Sequence, residues 1–157
     1  MSQESVRQWL AEHAPEVRLI EAHASTATVA DAAAALGVAA GRIAKTLGVR
    51  AGGREFLLVA RGDARLDNGK CKAVFGGRPR MLAAEETQAL TGHPVGGVCP
   101  FGLAHPLPIY CDRSLLGYAT VFPAAGSRNS SVEILPARLA EVTGAEWVDV
   151  CYLPAGA

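Results

Sequence analysis

Aromatic side chains make up only 6% of these 157 residues, and just three of the fifteen basic residues are lysines. No apolar run approaches the ~20 residues that a membrane-spanning helix needs. The polar, acid-bearing N-terminus (MSQESVRQWLAEHAPE) has the character of neither a signal nor a transit peptide. The four cysteines, Cys71, Cys99, Cys111 and Cys151, are far apart with no CxxC pair. That excludes a dense disulfide scaffold and reads as reduced thiols filling a core. There is no GxxxxGK[ST] phosphate loop, no GxGxxG after a strand, no GxSxG elbow and no HExxH. What remains is half hydrophobic and 19% charged, a globular composition. Its length suits one domain over residues 1–157, with a cytoplasmic location expected.

Net charge is zero, but unevenly spread. Between Arg42 and Arg80 ten basic residues face three acids, a net of +7; elsewhere five basic residues face twelve acids, a net of −7. Clustered cations of this kind suit a polyanionic partner, because they release counterions from phosphates. The bland alternative is that the basic segment folds against the acidic ones.

Periodicity and punctuation predict a mixed α/β order. Ser5–His13 reads as a helix with Val6, Trp9 and Leu10 on one face, ended by Pro15, and Val17–Ala22 as a strand. Thr28 caps a helix over Val29–Leu36 that Gly37 closes. Strands over Lys45–Arg50 and Glu55–Arg61 join at Gly52-Gly53. Asp67 caps a helix from Asn68 to Phe75, and Ala84–Thr91 is another, acidic at its start and followed by Gly92. Leu107–Cys111, Tyr118–Phe122, Ser130–Leu135 and Glu146–Cys151 read as strands, with a helix from Pro136 to Val142 before the last. Strands outnumber helices and links are short, so the sheet should be mixed and largely antiparallel.

Three segments carry chemical interest. Lys45, in GRIAKTLGV, shares a strand face with Leu47 and Val49. A lysine at the mouth of an apolar cleft can offer its ammonium to a phosphate or carbonyl oxygen; the plain reading is a strand-end lysine that snorkels to water. In TGHPVGGVCPFG (91–102) adjacent glycines leave the backbone N–H groups uncovered for close approach to a ligand, or only meet the demands of a tight connection. PAAGSRNSSVEILP (123–136) is a turn into a strand, with Arg128 and Asn129 as polar candidates. His93, Cys99, His105 and Cys111 recur every six residues. Zinc ligands usually pair two to four apart, and Pro94, Pro100 and Pro106 break any shared face, so no metal is expected.

Taken in order, Thr26, AKTL around Lys45, RLDNGK (65–70), TGHPVGGVCPFG and ATVFPAAGSRNSSVEILP resemble the YbaK and prolyl-tRNA synthetase editing-domain family of free-standing aminoacyl-tRNA deacylases. The resemblance covers nearly the whole chain. It implies a compact α/β domain whose mixed sheet curves into a partial barrel with surrounding helices. It also implies trans-editing: a wrong amino acid is removed from tRNA, most often tRNA for proline, without cofactor or metal. Lys45 matches the family lysine that holds the terminal adenosine and its phosphate, and Gly96 and Gly97 match the glycine loop that orients the ester. Thr26, Thr46, Val98, Pro100, Ala124, Gly126, Arg128, Asn129 and Ser131 fall where substrate is bound. Arg61, Arg65, Lys70, Lys72, Arg78 and Arg80 would meet the acceptor end, with prolyl-tRNA synthetase a candidate partner. The favoured family mechanism uses the vicinal ribose hydroxyl to help a water attack. Cysteine-removing members carry Ser-Gly-Gly where this chain has Ala124-Ala125-Gly126, and aspartate where it has Ser131. Alanine, serine or threonine is therefore the expected amino acid. The rival readings are a non-catalytic tRNA- or synthetase-binding module and a metal hydrolase using the His/Cys series.

Overall fold

The computed structural model describes residues 2–155. Its organising element is a hairpin. Strand β2 (Ile43–Ala51) runs into β3 (Arg54–Arg61) through Gly52 and Gly53, both at positive φ (59° and 76°). Two consecutive left-handed residues make the tight turn whose twist matches that of paired strands. Residues 56–60 of β3 are all buried, so this strand has apolar cover on both faces.

Around the hairpin the sheet is mixed. On the β3 side lie β6 (Ile109–Asp112) and then β9 (Glu146–Val148), both parallel to their neighbours. On the other edge β2 pairs antiparallel with β5 (Arg80–Met81) and parallel with β7 (Phe122–Pro123). Two short ribbons flank it: β1 (Leu19–Glu21) with β8 (Ser130–Val132), and β4 (Arg65–Leu66) with β10 (Cys151–Tyr152), both antiparallel. The sheet curves without closing into a barrel.

Among the described residues five α-helices surround it: α1 (Ser2–His13), α2 (Val29–Leu36), α3 (Asn68–Phe75), α4 (Ala84–Thr91) and α5 (Pro136–Thr143). The predicted caps are present. Thr28 Oγ1 accepts from Asp31 N at 3.0 Å and Asp67 Oδ1 from Lys70 N at 2.9 Å, and the glycines after α2, α3, α4 and α5 are all left-handed. One core gathers α1, α5 and the loop around Phe101 on one side of the sheet. A second packs Phe56, Leu58 and Phe75 with Val150 on the other. None of the described helices is long and apolar enough to cross a membrane.

Two predicted strands are corrected. Of Tyr118–Phe122 only Val121 and Phe122 pair, with Ile134 and β2 respectively. Tyr118 instead lies 5.1 Å from the Arg61 guanidinium after a 3-10 turn over Arg113–Gly117, and Pro123 has no N–H to extend the ladder. Glu146–Cys151 is two strands, not one. Asp112 Oδ1 captures Val150 N at 2.8 Å while Val150 O accepts from Asp67 N at 2.9 Å, which carries the chain from β6 over to β4. The very short β4 and β5 have no readable alternation, and the sequence did not predict them.

Candidate functional site

A cleft of about 330 Å³ opens beside β2. Its floor is Ala44–Gly48; its walls are Thr26–Val29 with Ala32, Leu82 and Thr87 near α4, the loop residues Val95, Gly96 and Val98, and Phe122, Ala124 and Ser131. Gly48 makes the α4 wall possible, since a Cβ there would sit 2.9 Å from Thr87 Oγ1 and 3.2 Å from Leu82 Cδ1. Glycine inside a strand pattern was the available signal for this close approach.

Lys45 stands at the cleft rim and also borders a second hollow, formed with Asp63–Leu66 and Pro154. Its Nζ donates to Ala64 O, and it is half-buried on the face predicted for it. Burial lowers its pKa below the usual 10.5, an effect that Cys151 and Asp63 oppose and Arg65 reinforces. The ammonium is therefore incompletely solvated and has a single neutral acceptor, a state that an incoming anion would relieve.

The glycine loop is clamped from three sides. Gly97 N donates to Pro94 O at 2.9 Å, and Gly97 O accepts from Gly126 N at 3.0 Å. A Cβ on Gly97 would stand 2.6 Å from Ser127 N; Gly96, at φ 90°, would place one 2.8 Å from Ala27 Cβ. Arg128 Nε donates to Val95 O at 3.1 Å, while Arg128 O accepts from Thr26 N at 2.6 Å. Behind the loop, His93 Nε2 donates to Phe101 O at 2.7 Å. The proton therefore sits on Nε2, and Nδ1 accepts from Ser2 Oγ. Burial lowers the His93 pKa below 6.5 and keeps the ring neutral.

The structure sorts the remaining candidates. Thr26, Thr46, Val98, Ala124 and Ser131 line the cleft. Pro100, Gly97, Gly126, Arg128 and Asn129 do not line it; Gly97, Gly126, Arg128 and Asn129 instead bond to the wall segments from behind. Thr26 Oγ1 and Thr46 Oγ1 are buried with no hydrogen-bond partner among the described residues, and both residues belong to this cleft. Of the six cations assigned to RNA, Arg61 is clasped by Asp63 at 2.6 Å and Lys70 by Asp149 at 3.0 Å. Arg65, Lys72, Arg78 and Arg80 are exposed and make no ion pair among the described residues. Among the described residues no three His, Cys, Asp or Glu side chains converge on a metal position. Cys99 is fully buried and burial pushes its thiol up to about 12, so it is packing rather than a reactive group. Sequence reasoning did not pick out Ala27, Leu82, Thr87 or Phe122, which reach the cleft only through tertiary packing.

Residues 23–142 match the model of the aminoacyl-tRNA editing domain. YwhH of Bacillus subtilis, an uncharacterised protein, is 47% identical over 96% of this chain and 98% of its own. EbsC of Enterococcus faecalis, provisionally named a Cys-tRNA(Pro)/Cys-tRNA(Cys) deacylase, is 30% identical over 83% of this chain and 79% of its own. A solved structure provisionally described as a trans-editing enzyme for prolyl tRNA synthetase superposes with a TM-score of 0.87 at 36% identity, covering 96% of this chain and 97% of that one.

Proposed function

Since this chain belongs to the aminoacyl-tRNA editing domain family, we propose that it is a trans-editing hydrolase. It would deacylate tRNA carrying a small wrong amino acid (alanine, serine or threonine), with tRNA for proline as the first candidate and the cytoplasm as the setting. The observation that carries this reading is the cleft itself. It is small, with a lysine at its rim and a wall of fixed backbone, and among the residues that line it no side-chain nucleophile is hydrogen-bonded to a base.

An aminoacyl ester is already activated, so positioning and stabilisation of the developing oxyanion supply most of what hydrolysis needs. Lys45 would leave Ala64 O for the phosphate of the terminal adenosine, placing the ester over the cleft. The water oxygen bonds to the carbonyl carbon, the ester C–O bond breaks, and the ribose oxygen leaves with a proton. The vicinal ribose hydroxyl helps to position that water. Gly97 N is already bonded to Pro94 O, so the backbone donors assigned to the oxyanion are the neighbouring amides of Gly96 and Val98. Gly97 itself serves the close approach to the 126–127 turn. The unpaired hydroxyls of Thr26 and Thr46 favour a hydroxylated side chain over alanine, because a buried polar group without a partner costs about 1–3 kcal/mol.

The test is release of amino acid from a panel of Ala-, Ser-, Thr- and Cys-charged tRNA for proline by wild type and Lys45→Ala, with and without prolyl-tRNA synthetase. Fast release of a small amino acid, lost in the variant, supports the reading. No release anywhere, with tRNA binding intact, replaces it with a binding module. A clear cysteine preference overturns the substrate assignment alone.

A further inference from the structure

Beyond the cleft, the surface continues across the β4–β10 ribbon. Lys45 and Leu47 line both the cleft and the adjoining hollow, whose far side is Arg65, Leu66 and Pro154. Arg65 and Tyr152 are direct antiparallel partners, so their side chains stand together on one face. Leu66 and Cys151 occupy the opposite face, toward the second core. Tyr152 is 46% exposed. On its other side Tyr152 borders a shallow hollow with Lys70, Arg113, Asp112 and Asp149, where Leu153 and Leu116 are also exposed.

We propose that this outward face is the seat of the unpaired nucleotides preceding the terminal adenosine of the RNA: Tyr152 stacks a base and Arg65 meets a phosphate. The proposal rests on the reading of the cleft as the site of an aminoacylated 3′ end, and names what holds the strand leading into it. Three observations carry it. The hollow that shares Lys45 with the cleft is bounded by Arg65, whose antiparallel partner is Tyr152, so a strand leaving the cleft on that side reaches the ribbon. Its chemistry is an exposed ring beside an arginine with no ion pair among the described residues, the combination that suits single-stranded nucleic acid. Arg65 and Lys45 also line the same hollow, so a phosphate seated there would meet both cations. Trp147, also exposed, lies on β9 at the edge of the main sheet and not on this ribbon. Tyr152 lies beyond residues 23–142, the part shared with the family model.

The test uses uncharged acceptor-stem RNA hairpins, one with a single-stranded ACCA tail and one blunt, with affinities read by fluorescence anisotropy. Wild type should prefer the tailed hairpin. Tyr152→Ala should weaken the tailed hairpin by about tenfold and leave the blunt one unchanged, since one base loses its stacking surface. Tyr152→Leu, which keeps apolar cover without a ring, should behave like Tyr152→Ala, and Tyr152→Phe should bind as wild type. Arg65→Gln should reduce the salt dependence of tailed-hairpin binding by about 0.7 in log–log slope. The proposal is overturned if wild type does not distinguish the hairpins, if Tyr152→Ala leaves tail binding intact, or if it weakens both hairpins alike. A protein that binds the tail through Tyr152 but deacylates nothing would sink the hydrolase reading and leave this one standing. Deacylation with Tyr152→Ala binding the tail normally would do the reverse.

Discussion

At the scale of single residues, Lys45 is held at a cost. Its depressed pKa means that the unfolded chain binds this proton more readily than the folded one. Stability therefore rises with pH between the folded pKa and 10.5, and below both values the buried charge is a constant burden. Lys45→Met should accordingly unfold at higher urea than wild type at pH 7 while deacylation falls at least a hundredfold; a destabilised variant would contradict this account. Thr26→Val and Thr46→Val remove hydroxyls with no partner in the free protein, so each should leave urea stability unchanged or slightly higher. Each should also lower kcat/KM for a serine or threonine ester by about tenfold relative to alanine, and an unchanged ratio would show that the hydroxyls do not read the side chain. Lys45 was legible in the sequence because arginine is this chain's default cation and the strand phase set its face. That its ammonium would rest on Ala64 O was not, because the two residues meet only when β3 and the segment after it fold back.

Among the elements, the glycine loop and its backing make the sharpest demands. Gly97→Ala would drive a Cβ against Ser127 N, a backbone atom that cannot swing away, so a loss of ~1–3 kcal/mol is expected from urea unfolding together with lost deacylation. His93 anchors the same loop as a neutral ring. Its folded pKa lies below the unfolded 6.5, so its contribution is full above pH 6.5 and is lost as pH falls toward the folded value. The urea midpoint of wild type should drop between pH 7.5 and 5.5 by more than that of His93→Gln; equal drops would assign the acid sensitivity to other groups. Helices α2 to α5 were readable to within a residue because caps and closing glycines are local signals. Strands β9 and β10 were not, since Asp112 and Asp67 divide that chain between partners far away in sequence, and β7 was not, since the turn over Arg113–Gly117 and Pro123 cut it short.

Over the whole molecule, the basic segment is only partly free. Arg50 pairs with Glu55 and Glu86, Arg61 with Asp63, and Lys70 with Asp149, so part of the +7 is neutralised within the fold. Arg42 is likewise held by Glu133, and the segment's exposed cations with no ion pair among the described residues, Arg54, Arg65, Lys72, Arg78 and Arg80, set the expected electrostatics of tRNA binding. Neutralising one of these should lower the log–log salt slope of tRNA affinity by about 0.7–0.9, whereas Arg61→Gln should lower stability and leave that slope unchanged. Composition, caps, turn glycines and strand phase by themselves determined the class of fold, most element boundaries and the face of Lys45, because each depends on neighbours within a few positions, while the family resemblance came from the motif segments taken in order. Tertiary structure alone decided which cations stay free, which amides stay unbonded and which hydroxyls go unpaired. It also decided that Arg65 and Tyr152 share a face, since residues 87 positions apart become partners only when the chain closes on itself.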